Sequence, residues 1–275
     1  MRILLLSAVS LIATTAPAFA QDEAFSGVYV GGTFGYSAQN NDVGETIQFD
    51  RDLNGSFGDT VVTSAAGAPN AFSPGFCNGR GRTNSVAGGC ENDRDNAEYS
   101  ARVGFDIQDS NVAVGLVGEV GRSRIRDSVS AFSTTPATYT MTRKIDYNAS
   151  LRVRSGYVAG NNTLFYVTGG VAYAKVDHSF RTTNVTNTFT GRGKDDVWGW
   201  AVGGGVEHKL GGGLSMGLEY LYTRYDDDDY RVRVGAGTAL PNNPFLLAGA
   251  GGTDFRRSAS QFDFHGIRTT LSFGF

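Results

Sequence analysis

The chain has 275 residues and a formal net charge of -3, a balance that argues against nucleic acid as a partner. Its 38 glycines are about twice the usual share of roughly 7%, yet with only 6 prolines the chain is neither collagen-like nor proline-rich and disordered. One continuously apolar stretch, at the N-terminus, is shorter than the ~20 residues a spanning helix needs, which excludes helical membrane proteins but not a barrel of alternating strands.

Residues 1–20 have the parts of a secretory signal peptide: Arg2, the apolar run 3–13, and Ala18-Phe19-Ala20 at the cleavage point. Residues 21–275 then form a single domain in an oxidising compartment, where Cys77 and Cys90 can pair as a disulfide. Period-two alternation predicts eight strands, near 26–37, 97–107, 111–122, 144–157, 163–175, 196–209, 213–225 and 262–275. No amphipathic helix follows residue 20.

The connections alternate in length. Gaps 38–96, 123–143, 176–195 and 226–261 are long and polar; gaps 108–110, 158–162 and 210–212 are tight and carry Gly, Asn, Asp and Ser. A soluble sandwich does not explain that order. An eight-stranded antiparallel up-and-down transmembrane β-barrel does, with mobile outer loops and short periplasmic turns. The first loop, 38–96, is long enough to hold a hairpin of 46–49 with 60–63, which keeps ten strands as an alternative.

Lipid accepts no hydrogen bonds, so the sheet must close with apolar side chains outside. On the second strand Tyr99, Ala101, Val103, Phe105 and Ile107 face out; on the third, Val112, Val114, Leu116 and Val120 do. Tyr147, Ala149, Leu151 and Val153 face out on the fourth, opposite Asp146, Asn148, Ser150, Arg152 and Arg154. On the fifth the outward set is Phe165, Val167, Val171 and Tyr173; on the sixth, Trp198, Trp200, Val202 and Val206; on the seventh, Leu214, Met216, Leu218, Tyr220 and Tyr222. On the eighth, Ile267, Leu271, Phe273 and Phe275 share a face, and a bulge near Gly266 would bring Phe262 and Phe264 onto it. Aromatics near strand ends, Phe25, Tyr36, Tyr157, Trp198, Trp200, Tyr222, Phe273 and Phe275, fit interfacial girdles. The inward set brings Glu98, Asp106, Glu119, Glu207 and Glu219 opposite Arg102, Arg152, Arg154 and Arg268, an ion-pair network expected to plug the lumen.

These strands resemble a known family. Phe25-Ser26-Gly27-Val28-Tyr29-Val30-Gly31-Gly32, then Gly35-Tyr36, is similar to the mature start of alphaproteobacterial outer-membrane immunogenic proteins, small OmpA-type barrels. The likeness continues at Leu151-Arg152-Val153-Arg154-Ser155-Gly156-Tyr157, at Leu164-Phe165-Tyr166-Val167-Thr168-Gly169-Gly170-Val171-Ala172-Tyr173, at Gly203-Gly204-Gly205-Val206-Glu207 and at Leu218-Glu219-Tyr220-Leu221-Tyr222. Phe273 and the terminal Phe275 are similar to the aromatic signal read by the barrel assembly machinery. The resemblance implies an eight-stranded, surface-exposed barrel of the bacterial outer membrane; outer-membrane lipid and the barrel assembly machinery are its expected partners, and a monomer is favoured, with the oligomeric state left open. Some members are porin-like and some bind haemin. The long first loop with its Cys pair, His208 where an aromatic is usual, and the ending Ser272-Phe273-Gly274-Phe275 depart from the family pattern.

Catalytic chemistry is hard to assemble. Gly213-Leu214-Ser215-Met216-Gly217 matches a nucleophile elbow but sits in a strand, not at a strand–turn–helix junction. His178, His208 and His265 fall on different strands or rims, without metal-ligand spacing. The acidic run 226–229 reads first as a solvated loop root and second as a cation site. No enzyme activity, cofactor or metal is expected. The leading reading is a structural surface protein whose loops make contacts; the alternatives are a small-solute porin, a loop-based receptor or adhesin, and a lipid-modifying or proteolytic enzyme.

Overall fold

The computed structural model describes residues 24–39 and 44–275; the leader expected at 1–20 lies outside these. Eight long strands run Gly27–Gln39, Asn96–Asp109, Val112–Arg122, Thr138–Ala159, Thr163–Thr182, Asp196–Gly211, Leu214–Asp226 and Gln261–Gly274. Each pairs antiparallel with the next, and the first pairs with the eighth, Tyr29 opposite Gly274 through Gln39 opposite Phe264. The sheet is therefore a closed eight-stranded barrel with no free edge, and ten strands are excluded. Apart from a 3-10 turn at Val86–Gly88, the described elements are all β. The tight turns use the left-handed backbone conformation that short hairpins demand, at Ser110 (φ 54°), Gly160, Asn161 and Gly212.

The faces follow the alternation. Val103, Phe105, Ile107, Val114, Leu116, Leu151, Val153, Val167 and Leu218 are each about half exposed or more, while Arg102, Asp106, Glu119, Arg152 and Arg154 between them are buried. Three local assignments change, the first at Phe25, which is 3% exposed and closes the inner end of the lumen rather than joining the interfacial girdle. The ladder between the fourth and fifth strands shifts between Lys175 and Val176, opposite Asp146, so Asp146 lies exposed beside Tyr147 and Ile145 turns into the lumen. The bulge placed near Gly266 is absent, as the eighth strand keeps regular register with both neighbours. Phe262 and Phe264 are instead inward residues, 1% and 2% exposed, because the outer end of the lumen is lined by apolar side chains.

The long gaps are not loose loops. The fourth and fifth strands run on for about half their length beyond the ~9–11 residues that crossing requires. Arg126–Phe132 folds back on the fourth, and Gly75–Asn78 pairs with it in turn. A second antiparallel sheet takes one segment from the first gap, one from the third and two from the last, in the order Thr188–Arg192, Arg231–Gly235, Thr253–Arg257 and Ile47–Asp50. The hairpin expected within 38–96 does not form: Ile47–Asp50 pairs with Thr253–Arg257, and Val62 bridges to Asn70. Side chains of both layers meet in one cluster around Phe49, Phe72, Val129, Tyr139, Met141, Val232, Phe245 and Phe255, so the outer end of the barrel carries a cap with its own core.

Candidate functional site: the filled lumen and its cap

Inward parity puts nine ionisable residues inside the barrel, and the structure joins eight of them into two clusters. Toward the periplasmic turns, Arg154 donates through Nε to Asp106 Oδ1 at 2.8 Å, through Nη2 to Asp106 Oδ2, and through Nη1 to Glu207 Oε2 at 2.8 Å. Ser215 Oγ donates to Glu207 Oε1 at 2.5 Å. The Arg154 guanidinium lies 4.7 Å from the Tyr29 ring centre and 5.2 Å from that of Tyr166. Glycine at 104 makes room for this, since a Cβ there would sit 2.2 Å from the Tyr29 ring.

The second cluster centres on Glu219. Its carboxylate accepts from Arg268 Nε at 2.9 Å, Arg152 Nη1 at 3.2 Å, Arg102 Nη2 at 3.4 Å and Tyr166 Oη at 2.8 Å. Glu119 accepts from Arg268 Nη1 at 2.6 Å and Arg152 Nη2 at 3.0 Å, closing a ring of two acids and two arginines. Glu98 stands outside both clusters: it accepts from Ser37 Oγ at 2.6 Å, and no cation among the described residues contacts it. Tyr29 and Tyr166 were not foreseen as lumen residues, although Tyr29 alternates with the exposed Val28 and Val30.

Above these clusters lies an apolar layer including Ile125, Ile145, Val176, Val197, Phe262 and Phe264, and below them another of Phe25, Ala113, Val158 and Leu164. A charged belt then joins barrel to cap. Arg143 Nε donates to Asp127 Oδ2 at 2.6 Å; Arg257 donates to Glu45 at 2.6 and 2.7 Å and to Asp127 Oδ1 at 2.8 Å. His178 Nε2 lies 2.9 Å from Asp227 Oδ1, its ring stacked on Tyr230. Burial alone would raise the Asp127 carboxyl, but Arg257 and Arg143 outweigh it and hold it down to about 2. Burial, reinforced by Asp127, instead pushes Asp93 up to about 7, against the Ser128 N–H it accepts at 2.7 Å and the charge of Arg257. This belt has no period in sequence; its residues come from the polar gaps and strand extensions.

Cys77 and Cys90 form a disulfide within the cap. Ser215 of the elbow-like motif is committed to Glu207 inside a strand, and the histidines are scattered: His208 against Thr163, His265 against Tyr220, His178 in the belt. The run 226–229 diverges, with Asp227 buried while Asp226, Asp228 and Asp229 are exposed. Asp50, Asp52 and Asp59 have carboxylate oxygens within 4.8 Å of one another, the group among the described residues whose donors would suit a hard cation. Phe273 and Phe275 point outward at the inner rim.

The pattern of the outer membrane protein beta-barrel domain family matches residues 6–233 of this chain. The chain belongs to that family. Relatives in it are outer-membrane proteins, as is this one. The 31 kDa outer-membrane immunogenic protein of Brucella melitensis is 29% identical over 123 residues, 44% of this chain and 51% of that protein. The 25 kDa outer-membrane immunogenic protein of Brucella canis is 28% identical over 148 residues, 54% of this chain and 60% of that one. The chain thus spans about half the length of the curated relatives it matches. The outer membrane protein OprG of Pseudomonas aeruginosa has a similar fold, with a TM-score of 0.50 at 14% identity over 92% of this chain and all of that one.

Removing Glu219 strands Arg102, Arg152 and Arg268 without their shared carboxylate. Glu219→Ala should therefore destabilise the folded barrel by about 3–5 kcal/mol, read as an earlier urea midpoint in detergent; an unchanged midpoint would show that the cluster holds nothing together. The cap should respond to pH through Asp93, whose carboxyl titrates near 3.9 in an unfolded chain. A raised folded value means the docked state binds its proton more tightly, so docking is strongest in acid and weakens as pH rises from about 4 to about 7. Asp127 acts in the opposite sense, its contribution intact above the carboxylate range and lost only as pH falls through about 2. Amide exchange around Ser128, corrected for intrinsic rate, should be faster at neutral pH than in mild acid, and Asp93→Asn should flatten the difference. A flat wild-type profile would contradict this.

Proposed function

We propose that this outer-membrane barrel is a non-conducting, non-enzymatic surface protein: the barrel is a monomeric anchor in lipid, and the β-structured cap is the part that meets the exterior. The filling of the lumen carries the reading. Two ion-pair clusters lie between apolar layers, and every inward arginine has a carboxylate partner. Opening a water path would mean separating buried pairs, each break costing several kcal/mol. The disulfide and the apolar core of the cap support a fixed presenting surface rather than a mobile gate. In this reading the barrel assembly machinery uses Phe273 and Phe275 as its signal.

Planar-bilayer recording tests the proposal. Purified protein should insert without steady conductance; a stable, nanosiemens-scale open level that follows protein concentration would favour the porin reading instead.

A further inference from the structure

On the flank of the second, third and fourth strands, three cationic residues form one cross-strand row. Arg94 and Arg126 exchange backbone hydrogen bonds at 3.1 and 3.2 Å, and Arg126 is the register partner of Lys144. Opposed residues of an antiparallel ladder share a face with Cβ atoms about 4.5–5.5 Å apart, and like charges so placed destabilise the sheet. Their strand neighbours Asp127 and Arg143 are buried inward, so Arg126 and Lys144 point away from the lumen. None of the three has a carboxylate partner among the described residues, whereas each lumen arginine has one. Arg122 and Arg124 continue the positive charge toward the membrane, Arg124 at a left-handed φ of 52°. Of the acids on this flank, Asp177 on the fifth strand is the register partner of Lys144 on its far side without an ion pair between them, Asp95 accepts the Gln39 N–H at 3.0 Å, and Asp146 is exposed at the bulge.

The height of the row identifies what would neutralise it. Lys144 lies three residues outward of Tyr147, whose ring packs with Tyr173 and, through it, Trp198 in the outer aromatic girdle. With a rise of about 3.4 Å per residue and a tilt near 45°, the row stands roughly 5–7 Å beyond the girdle, at headgroup depth. It also faces sideways, over the apolar belt, rather than toward the apex of the cap. Guanidinium groups match phosphate oxygens in bidentate geometry, and ammonium adds a point charge.

We propose that Arg94, Arg126 and Lys144 form a binding site for phosphate-bearing headgroups of outer-leaflet lipid. The site depends on the chain's orientation in the membrane, not on whether the lumen conducts, so the two proposals fail separately.

The test is native mass spectrometry of the full chain in mixed micelles, titrated with dioleoyl phosphatidic acid against dioleoyl phosphatidylcholine. Each basic residue near an anionic surface strengthens binding by about fivefold, so Arg94→Gln/Arg126→Gln/Lys144→Gln should weaken phosphatidic acid retention tenfold or more. A charge-matched variant on the other flank, Arg181→Gln/Lys194→Gln/Arg224→Gln, should retain it. Should the row variant fail to fold, Arg126→Gln alone should give about a fivefold loss. Equal retention by wild type and row variant, or equal loss in the control, overturns the proposal. So does row-dependent binding of inositol hexakisphosphate as tight as that of the lipid, which would assign the site to soluble polyanions.

Discussion

Backbone N–H and C=O groups that enter hydrocarbon have no water to bond, and the structure depends on how this chain meets that constraint. Closing the sheet satisfies the backbone but creates an interior too narrow to stay wet, into which every second residue must point. Small and charged side chains share that space. Glycine at 104 admits the Tyr29 ring, the ring lies over Arg154, and Arg154 ties Asp106 to Glu207 across three strands. Glu219 does the same for Arg102, Arg152 and Arg268. Buried pairs of this kind add less stability than their number suggests, since desolvation opposes them, but each makes the wrong register costly by leaving a charge unmatched.

The same strands continue past the membrane, and there the solvent reverses the rule. Outside lipid a sheet face needs a second layer, and segments from the first, third and fourth long gaps supply it over the cluster around Phe72 and Phe255. The Arg143, Arg257 and Asp127 belt fixes the cap to the barrel mouth, so the exterior surface is held by the same fold that anchors it. A rigid cap above a filled lumen suits presentation and contact better than passage.

Much of the barrel was legible because period two is a strong signal when one face meets lipid: strand positions, outward residues and the inward acids and arginines all follow from parity. Parity failed where geometry departs from it. Asp146 sits at a bulge that nothing in its neighbourhood signals, and Phe262 and Phe264 looked out of register only because the outer lumen was expected to be polar. The cap was illegible for another reason. Its strands are four to seven residues long, Ile47–Asp50 pairs with the distant Thr253–Arg257, and the core is drawn from isolated residues in polar gaps, as Phe49 and Phe255 show. The cationic row on the barrel flank was invisible likewise, since Arg94, Arg126 and Lys144 become neighbours only through register.

Whether matched ions hold the lumen together is decided most directly by a double-mutant cycle on Asp106 and Arg154, with Asp106→Leu, Arg154→Met and their combination unfolded by urea in the same detergent. If the pair is as the structure describes it, each single change strands a buried charge and the combination relieves part of that loss, giving a coupling energy of about 2–3 kcal/mol. Strictly additive effects, with no recovery in the double variant, would mean that the two groups are solvated independently and that the lumen is not closed by their pairing.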